Sequence, residues 1–391
     1  MKGSSSSDAP FLLLCFGFIV CGMVTVLAGP LLPVLAARWG LRDVQSGAFF
    51  GAQFAFSTVG AILAPWRLRR KLSIGYALIG AGVLLLYLAG VVTSHTTGLL
   101  IGLAAFSLVG LGIGFSVTAT NLLVGGSTAA IRARQLSIVN LFWGSGAVFC
   151  PWIVAIAERA GHRRQLLLLM ALAAMGMFAA LTPMLRASEP ASLNKQSAAT
   201  VNLRLLGFFA VFLFLYVGTE NAVGGWITTY AHRFSSMTLE DATALASLYW
   251  LALLAGRGVG SLALNFLSER TVLFSGVLVA LAALILLLAW RSSHSVLIAV
   301  AIAGAGLGPV FPIGISRMMG RGPDSHGTGW VFATSASGGA LLPWLTGFLS
   351  TRTGTLRIGF LVPCLSLSTI FIMALLENRA LREPVPPLVT Q

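Results

Sequence analysis

Charge is what this chain of 391 residues has least of: 9% of positions are Asp, Glu, Lys or Arg, and only 11 are acidic. An average soluble chain carries about 25% charged residues, so a water-soluble protein of this length could not cover its surface. Beside a hydrophobic fraction of 57%, that scarcity leaves an all-α polytopic membrane protein. Cysteine is scarce as well. Cys15, Cys21, Cys150 and Cys364 lie inside apolar runs without ligand spacing; they read as small buried hydrophobes and imply neither a disulfide framework nor a metal site. Enzyme signatures are missing: there is no H-E-x-x-H, no G-x-S-x-G and no Walker A loop. Neither catalysis nor a cofactor is expected. Without a nucleotide-binding module, a membrane carrier of this kind is a secondary transporter and not a primary pump. His95, His162, His232, His294 and His326 fall near the ends of apolar runs, where solvated histidines are the ordinary reading.

The net charge of +14 would suggest nucleic acid in a soluble protein. Here the basic residues lie between apolar segments, so topology explains them and no nucleic-acid partner is expected. The apolar runs are continuous and exceed the roughly 9–11 residues of a barrel strand, which excludes a β-barrel. Windows of about 20 apolar residues give twelve candidate spans, near 11–37, 44–66, 73–93, 97–125, 135–157, 165–183, 203–231, 241–265, 271–290, 295–318, 328–350 and 357–377. The polar, Pro- and Ser-containing stretch 184–202 divides them six and six. The expected organisation is a tail over 1–10, a first bundle over 11–183, a linker over 184–202, a second bundle over 203–378 and a tail over 379–391. The first apolar run is read as a retained span, since it extends past a signal-peptide core without an obvious cleavage site. The basic run Arg67, Arg69, Arg70 and Lys71 places both termini in the cytoplasm.

The halves echo each other, a frequent property of transporters. Gly146-Ala147 with Pro151-Trp152 in span five matches Gly339-Ala340 with Pro343-Trp344 in span eleven, and Gly60 corresponds to Gly256 and Gly260 around span eight. Clusters such as Gly110, Gly112 and Gly114 predict close helix packing. Pro309 and Pro312 free backbone carbonyls and bend span ten.

One group stands out. Glu220 lies in the middle of the seventh span, and a carboxyl at that depth is costly enough to mark a substrate or ion path. Taking up a proton or coordinating sodium are its functional options; the structural alternative is a protonated or hydrogen-bonded glutamate that pins two helices. Gly218, Gly224 and Gly225 flank it and favour a local helix break of the kind that forms midplane sites. The other acids, among them Asp43, Glu158, Glu240, Asp241, Glu269, Asp324 and Glu377, sit at span ends or loops, where solvation or capping is the default. Arg257 is expected to snorkel to the cytoplasmic edge.

Amides, hydroxyls and aromatic rings on the spans form a candidate lining for a small-molecule substrate: Gln53, Asn121, Asn140, Trp143, Asn221, Tyr249, Trp250 and Ser335. Gln53, Asn121 and Asn140 rank first, because a buried amide without partners is costly. Amides bond hydroxyl groups and rings stack on C–H faces, which suits a neutral polyhydroxylated ligand such as a hexose. A drug or metabolite efflux carrier is the rival reading.

The six-plus-six spans, the basic run after span two and the Arg132-Ala133-Arg134 step into span five resemble the major facilitator superfamily. Tyr216-Val217-Gly218-Thr219-Glu220, Gly224-Gly225-Trp226, Gly256-Arg257, Pro312 and the run Gly338 to Trp344 are similar to its fucose–galactose–glucose permease branch. The resemblance implies the major facilitator fold, twelve transmembrane helices in two pseudo-symmetric six-helix bundles rocking about a central site, with sugar symport as the commonest activity. That branch carries carboxylates on spans one and four; this chain has none there, which moves ion coupling to Glu220. A monomer is expected from the internal duplication.

Overall fold

A computed structural model describes the backbone of residues 5–125, 129–186, 203–290, 292–319 and 325–380. The first half comprises α1 (Ser5–Val26), α2 (Ala28–Trp39), α3 (Asp43–Leu63), α4 (Leu68–Leu88), α5 (His95–Gly125), α6 (Ala129–Arg159) and α7 (Arg163–Arg186). The second comprises α8 (Leu203–Phe234), α9 (Leu239–Ala263), α10 (Glu269–Ala289), α11 (Ser293–Leu307), α12 (Val310–Met319), α13 (Ser325–Thr353), α14 (Leu356–Gly359) and α15 (Leu361–Ala380). Helix α1 already begins within the stretch expected as a tail. The centre of the expected linker and the last residues of the chain lie outside the described residues.

Among the described residues, 11 helical segments are long and apolar enough to cross a membrane. Helix α13 has the length, 29 residues, but is rich in Ser, Thr and Gly. It packs between α3 and α8, so protein and not lipid surrounds much of it. The expected spans agree with these segments to within a few residues. Two are interrupted where proline removes a backbone donor: span one between α1 and α2, just before Pro30, and span ten between α11 and α12 at Gly308-Pro309.

Helices α1–α7 pack among themselves, as do α8–α15, giving two six-span bundles. Their correspondence is visible in where glycine lets helices touch. A methyl group on Gly110 would overlap the Gln53 carbonyl, and one on Gly304 would lie 2.5 Å from that of Tyr249. Gly114 meets Ser57 and Ala61 as Gly308 meets Leu253 and Arg257; Gly60 meets Leu111 as Gly256 meets Ala305. Spans two and four therefore cross in the same register as spans eight and ten. That register makes Gln53 the counterpart of Tyr249, and Ala61 the counterpart of Arg257.

The bundles meet chiefly through α3 with α13, α6 with α9 and α2 with α8. Contact is tightest at the end bearing turns 40–42, 160–162 and 235–238, here called the far end. There a Cβ on Gly47 would sit 3.0 Å from Trp344 Cα and one on Gly29 would sit 3.0 Å from the Gly224 carbonyl. One turn further along α3, a Cβ on Gly51 would be 3.8 Å from the nearest atom of α13. Polar bonds reinforce the far-end closure. Asp43 accepts both terminal nitrogens of Arg233 at 2.7 and 2.8 Å and the Ser350 hydroxyl at 2.5 Å, and the Val44 N–H donates to Thr351 Oγ1 at 2.8 Å. Arg159 pairs with Asp241 across the same end. Asp43 is thus an inter-bundle partner, which corrects the solvated or capping role expected of it. Glu377 departs likewise: it is buried, 2.6 Å from Arg317.

Candidate functional site

Helix α8 runs unbroken past Glu220. The helix break expected at its glycines is absent, because each glycine is used for close approach instead. Gly218 faces Gly338 and Leu342 of α13, Gly224 faces the indole of Trp250, and Gly225 faces Phe50 of α3. An intact helix keeps its backbone bonds satisfied at this depth, which in lipid is worth several kcal/mol per group, on the order of the cost of an open one.

The Glu220 carboxylate is buried and faces α9, where Arg257 Nη2 lies 3.6 Å from Oε2. This corrects the expectation that Arg257 snorkels to an edge. Its reach is set by Gly256 and Gly308, which bring α9 against the end of α11 and hold the arginine beside α8. Tyr249 donates its hydroxyl to the Glu220 carbonyl at 3.1 Å, and Tyr216 donates to the Leu307 carbonyl at 3.2 Å. Two tyrosines thus tie α8 to α9 and α11 around the ion pair. At 3.6 Å the contact is electrostatic and longer than a hydrogen bond, and Arg257 Nε is buried without a partner. The pair is loosely made.

Arg257 also lines a cavity of about 620 Å³ between the two bundles. One wall is α6, with Ser137 and Asn140; the other is formed by α9, the start of α10, and α12, with Ser261, Glu269 and Ser316. Pro309 and Pro312 shape its floor. These positions lie at the linker end of their helices, so among the described residues the bundles meet most closely at the far end and the cavity lies towards the linker end. The size fits a small ligand.

The proposed lining residues divide into groups. Asn140 lines the cavity, its Nδ2 donating to the Leu136 carbonyl at 2.8 Å. One turn deeper, Trp143 of the first bundle and Trp250 of the second meet edge to face, ring centres 6.4 Å apart. This aromatic contact spans the bundles on the far-end side of the cavity. Tyr249 is fully buried beside it. Gln53 donates Nε2 to the Thr25 carbonyl at 2.8 Å, mirroring its counterpart Tyr249, and its Oε1 is buried with no partner. Asn121 Oδ1 is likewise buried and unpartnered. Asn221 donates to the Val217 carbonyl, and Ser335 to that of Phe332; neither is brought to the cavity wall. Phe49 is buried and stacks on Phe106 inside the first bundle. Sequence reasoning missed Arg257, Ser137 and Ser316 as cavity residues. Arg257 alone carried a signal, standing in the repeat where the first half has Ala61.

The chain matches the family model for the Major Facilitator Superfamily over residues 14–328. It is 25% identical over 392 residues to a glucose/galactose transporter of Brucella abortus, covering 93% of this chain and 92% of that one. It is also 25% identical to the L-fucose-proton symporter of Escherichia coli, over 95% of this chain and 93% of that one. A crystal structure of the E. coli fucose:proton symporter superposes with a TM-score of 0.62 at 19% identity, covering 96% of this chain and 99% of that chain.

Proposed function

Because the chain belongs to the major facilitator superfamily, we propose that it is a secondary active transporter of a hexose-like sugar, driven by protons through Glu220. It is a multi-pass membrane carrier and not an enzyme. The observation that carries the reading is the Glu220–Arg257 pair at the edge of the inter-bundle cavity. Relatives named for glucose, galactose and fucose support the substrate class, and the amide and hydroxyl groups on the cavity wall suit sugar hydroxyls.

Proton coupling follows from the partner. A sodium ion at Glu220 would sit beside a guanidinium that is always charged, whereas a proton removes the carboxylate charge and with it the attraction to Arg257. Protonation therefore releases Arg257 towards Asn140 and Ser137, where its N–H groups meet sugar hydroxyls. Loss of the proton draws Arg257 back to Glu220 and weakens the hold on substrate. With both termini in the cytoplasm, the cavity lies on the cytoplasmic side on this reading. The protein works as a monomer on this reading.

The test is uptake of labelled hexoses into proteoliposomes with and without an imposed proton gradient, and with sodium exchanged for choline. Glu220→Gln should abolish gradient-driven accumulation while leaving sugar exchange down its gradient. Intact accumulation in that variant, or a requirement for sodium, refutes proton coupling at Glu220. Failure of every hexose to compete, with bulky apolar compounds competing instead, favours an efflux carrier.

A further inference from the structure

The far end of the first bundle carries a feature that sugar movement does not use. Arg38 on α2, with Arg163 and Arg164 at the start of α7, rings a narrow groove between α2, α4 and α7. Below them the walls are aliphatic, including Leu35, Leu86 and Leu167. Leu88 on α4 and Leu169 and Leu172 on α7 are exposed, as a surface facing acyl chains would be. The arginines thus stand at head-group level beside an exposed apolar surface.

The positive charge there is largely unspent within the protein. Arg163 has an acid partner, Glu158, at 2.7 Å. Among the described residues no carboxylate pairs with Arg38 or Arg164. Arg38 uses its Nε on the Val92 carbonyl at 3.1 Å. Arg164 stacks over the Tyr87 ring at 5.0 Å and lies across Gly90, where a Cβ would sit 3.1 Å from its Nε. Both guanidinium groups are therefore oriented by neutral contacts that leave their charge uncompensated.

Guanidinium groups held in place match phosphate oxygens in pairs. The geometry points to a binding site for an anionic phospholipid, its phosphate between Arg38 and Arg164 and an acyl chain along the exposed Leu88 and Leu169. A zwitterionic lipid brings its own cation and does not discharge the two arginines.

The experiment titrates the full-length protein in detergent with phosphatidylglycerol or phosphatidylcholine and counts bound lipid by native mass spectrometry, with inorganic phosphate as a competitor. The wild type should retain phosphatidylglycerol over phosphatidylcholine, and R38Q/R164Q should weaken phosphatidylglycerol binding roughly thirtyfold with phosphatidylcholine unchanged. R270Q removes a cation from a different groove, between α10 and α15, and should keep the preference. Equal retention of both lipids by the wild type, full retention by R38Q/R164Q, or an equal loss in R270Q overturns the site. Displacement of the lipid by inorganic phosphate at matching concentration also overturns it, in favour of a free-anion site. If R38Q/R164Q does not fold, Arg164→Lys keeps the charge but loses the planar fork; a several-fold loss supports the site and an unchanged affinity refutes it.

Discussion

Asp43 offers the sharpest test of how the two bundles hold each other. Its carboxylate takes two N–H groups of Arg233 and the Ser350 hydroxyl, so one side chain of the first bundle grips two helices of the second. A hydrogen bond to a charged group is worth about 1.5–3 kcal/mol when shielded, and an exposed ion pair about 0.2–1 kcal/mol. Asp43 is nearly buried, its side chain 10% exposed, whereas that of Arg233 is 40% exposed, so the latch falls between these limits, near 1.4 kcal/mol. Asp43→Asn should then shift the balance about tenfold from the state closed at the far end to the state open there. Asp241→Asn breaks a pair exposed on both sides and should shift it only a few-fold at most.

Spin labels at Thr96→Cys and Thr353→Cys, both exposed at the far end, report the separation by pulsed dipolar spectroscopy. The four native cysteines are buried, which keeps background labelling low. A longer distance should gain population in Asp43→Asn, with Arg233→Gln giving the same shift and the double variant adding little. High salt should shrink the effect, because Arg233 is partly solvated. Unchanged distance distributions in Asp43→Asn, or fully additive shifts, would refute the latch.

Four further outcomes follow from the site. Arg257→Gln leaves the Glu220 carboxylate buried without its counter-charge and should lower thermal stability by roughly 3 kcal/mol, whereas Glu220→Gln with Arg257→Gln should recover much of it, as read from melting curves. Trp143→Ala removes an aromatic pair worth about 0.5–1.5 kcal/mol and should loosen far-end closure as well as raise the sugar concentration for half-maximal uptake; if neither moves, the pair is mere packing. Gln53→Leu removes the orphaned Oε1 but also the Nε2 bond to the Thr25 carbonyl, so it should lower stability by about 1 kcal/mol, read from melting curves, while Gln53→Glu, which buries a carboxylate, should cost more. Gly110→Val drives a branched side chain into the Gln53 backbone and should abolish folded, monodisperse protein in size-exclusion chromatography.

How much of this was legible beforehand depends on whether a residue's role is local or set by a neighbour. Span positions follow from apolar runs and their proline breaks, so they read directly, including the interruption before Pro309. The depth of Glu220 reads too, because it needs only the length of the run around it. Its partner does not: Arg257 sits close enough to a helix end that hydropathy alone permits snorkelling, and only the crossing of α9 on α8 turns it inward. The glycines near Glu220 show the same limit, since identical residues permit a helix break or a close contact, and Trp250, Phe50 and α13 decide which. Asp43 looks like a helix-start acid until α8 and α13 arrive beside it.

The two charge pairs so placed differ in kind. Asp43 and Arg233 stand on opposite bundles, so rocking separates them and their bond is counted in the conformational balance. Glu220 and Arg257 stand on adjacent helices of the same bundle, and rigid rocking leaves their separation unchanged. A change of charge on Glu220 removes the attraction between them. On this reading the first pair sets how readily the molecule opens, and the second sets what Arg257 presents to a ligand bridging to Asn140 on α6. A carrier needs both to couple a proton to a sugar: protonation alters the grip across the cavity, and that grip, in turn, alters how closely α6 and α9 are drawn together.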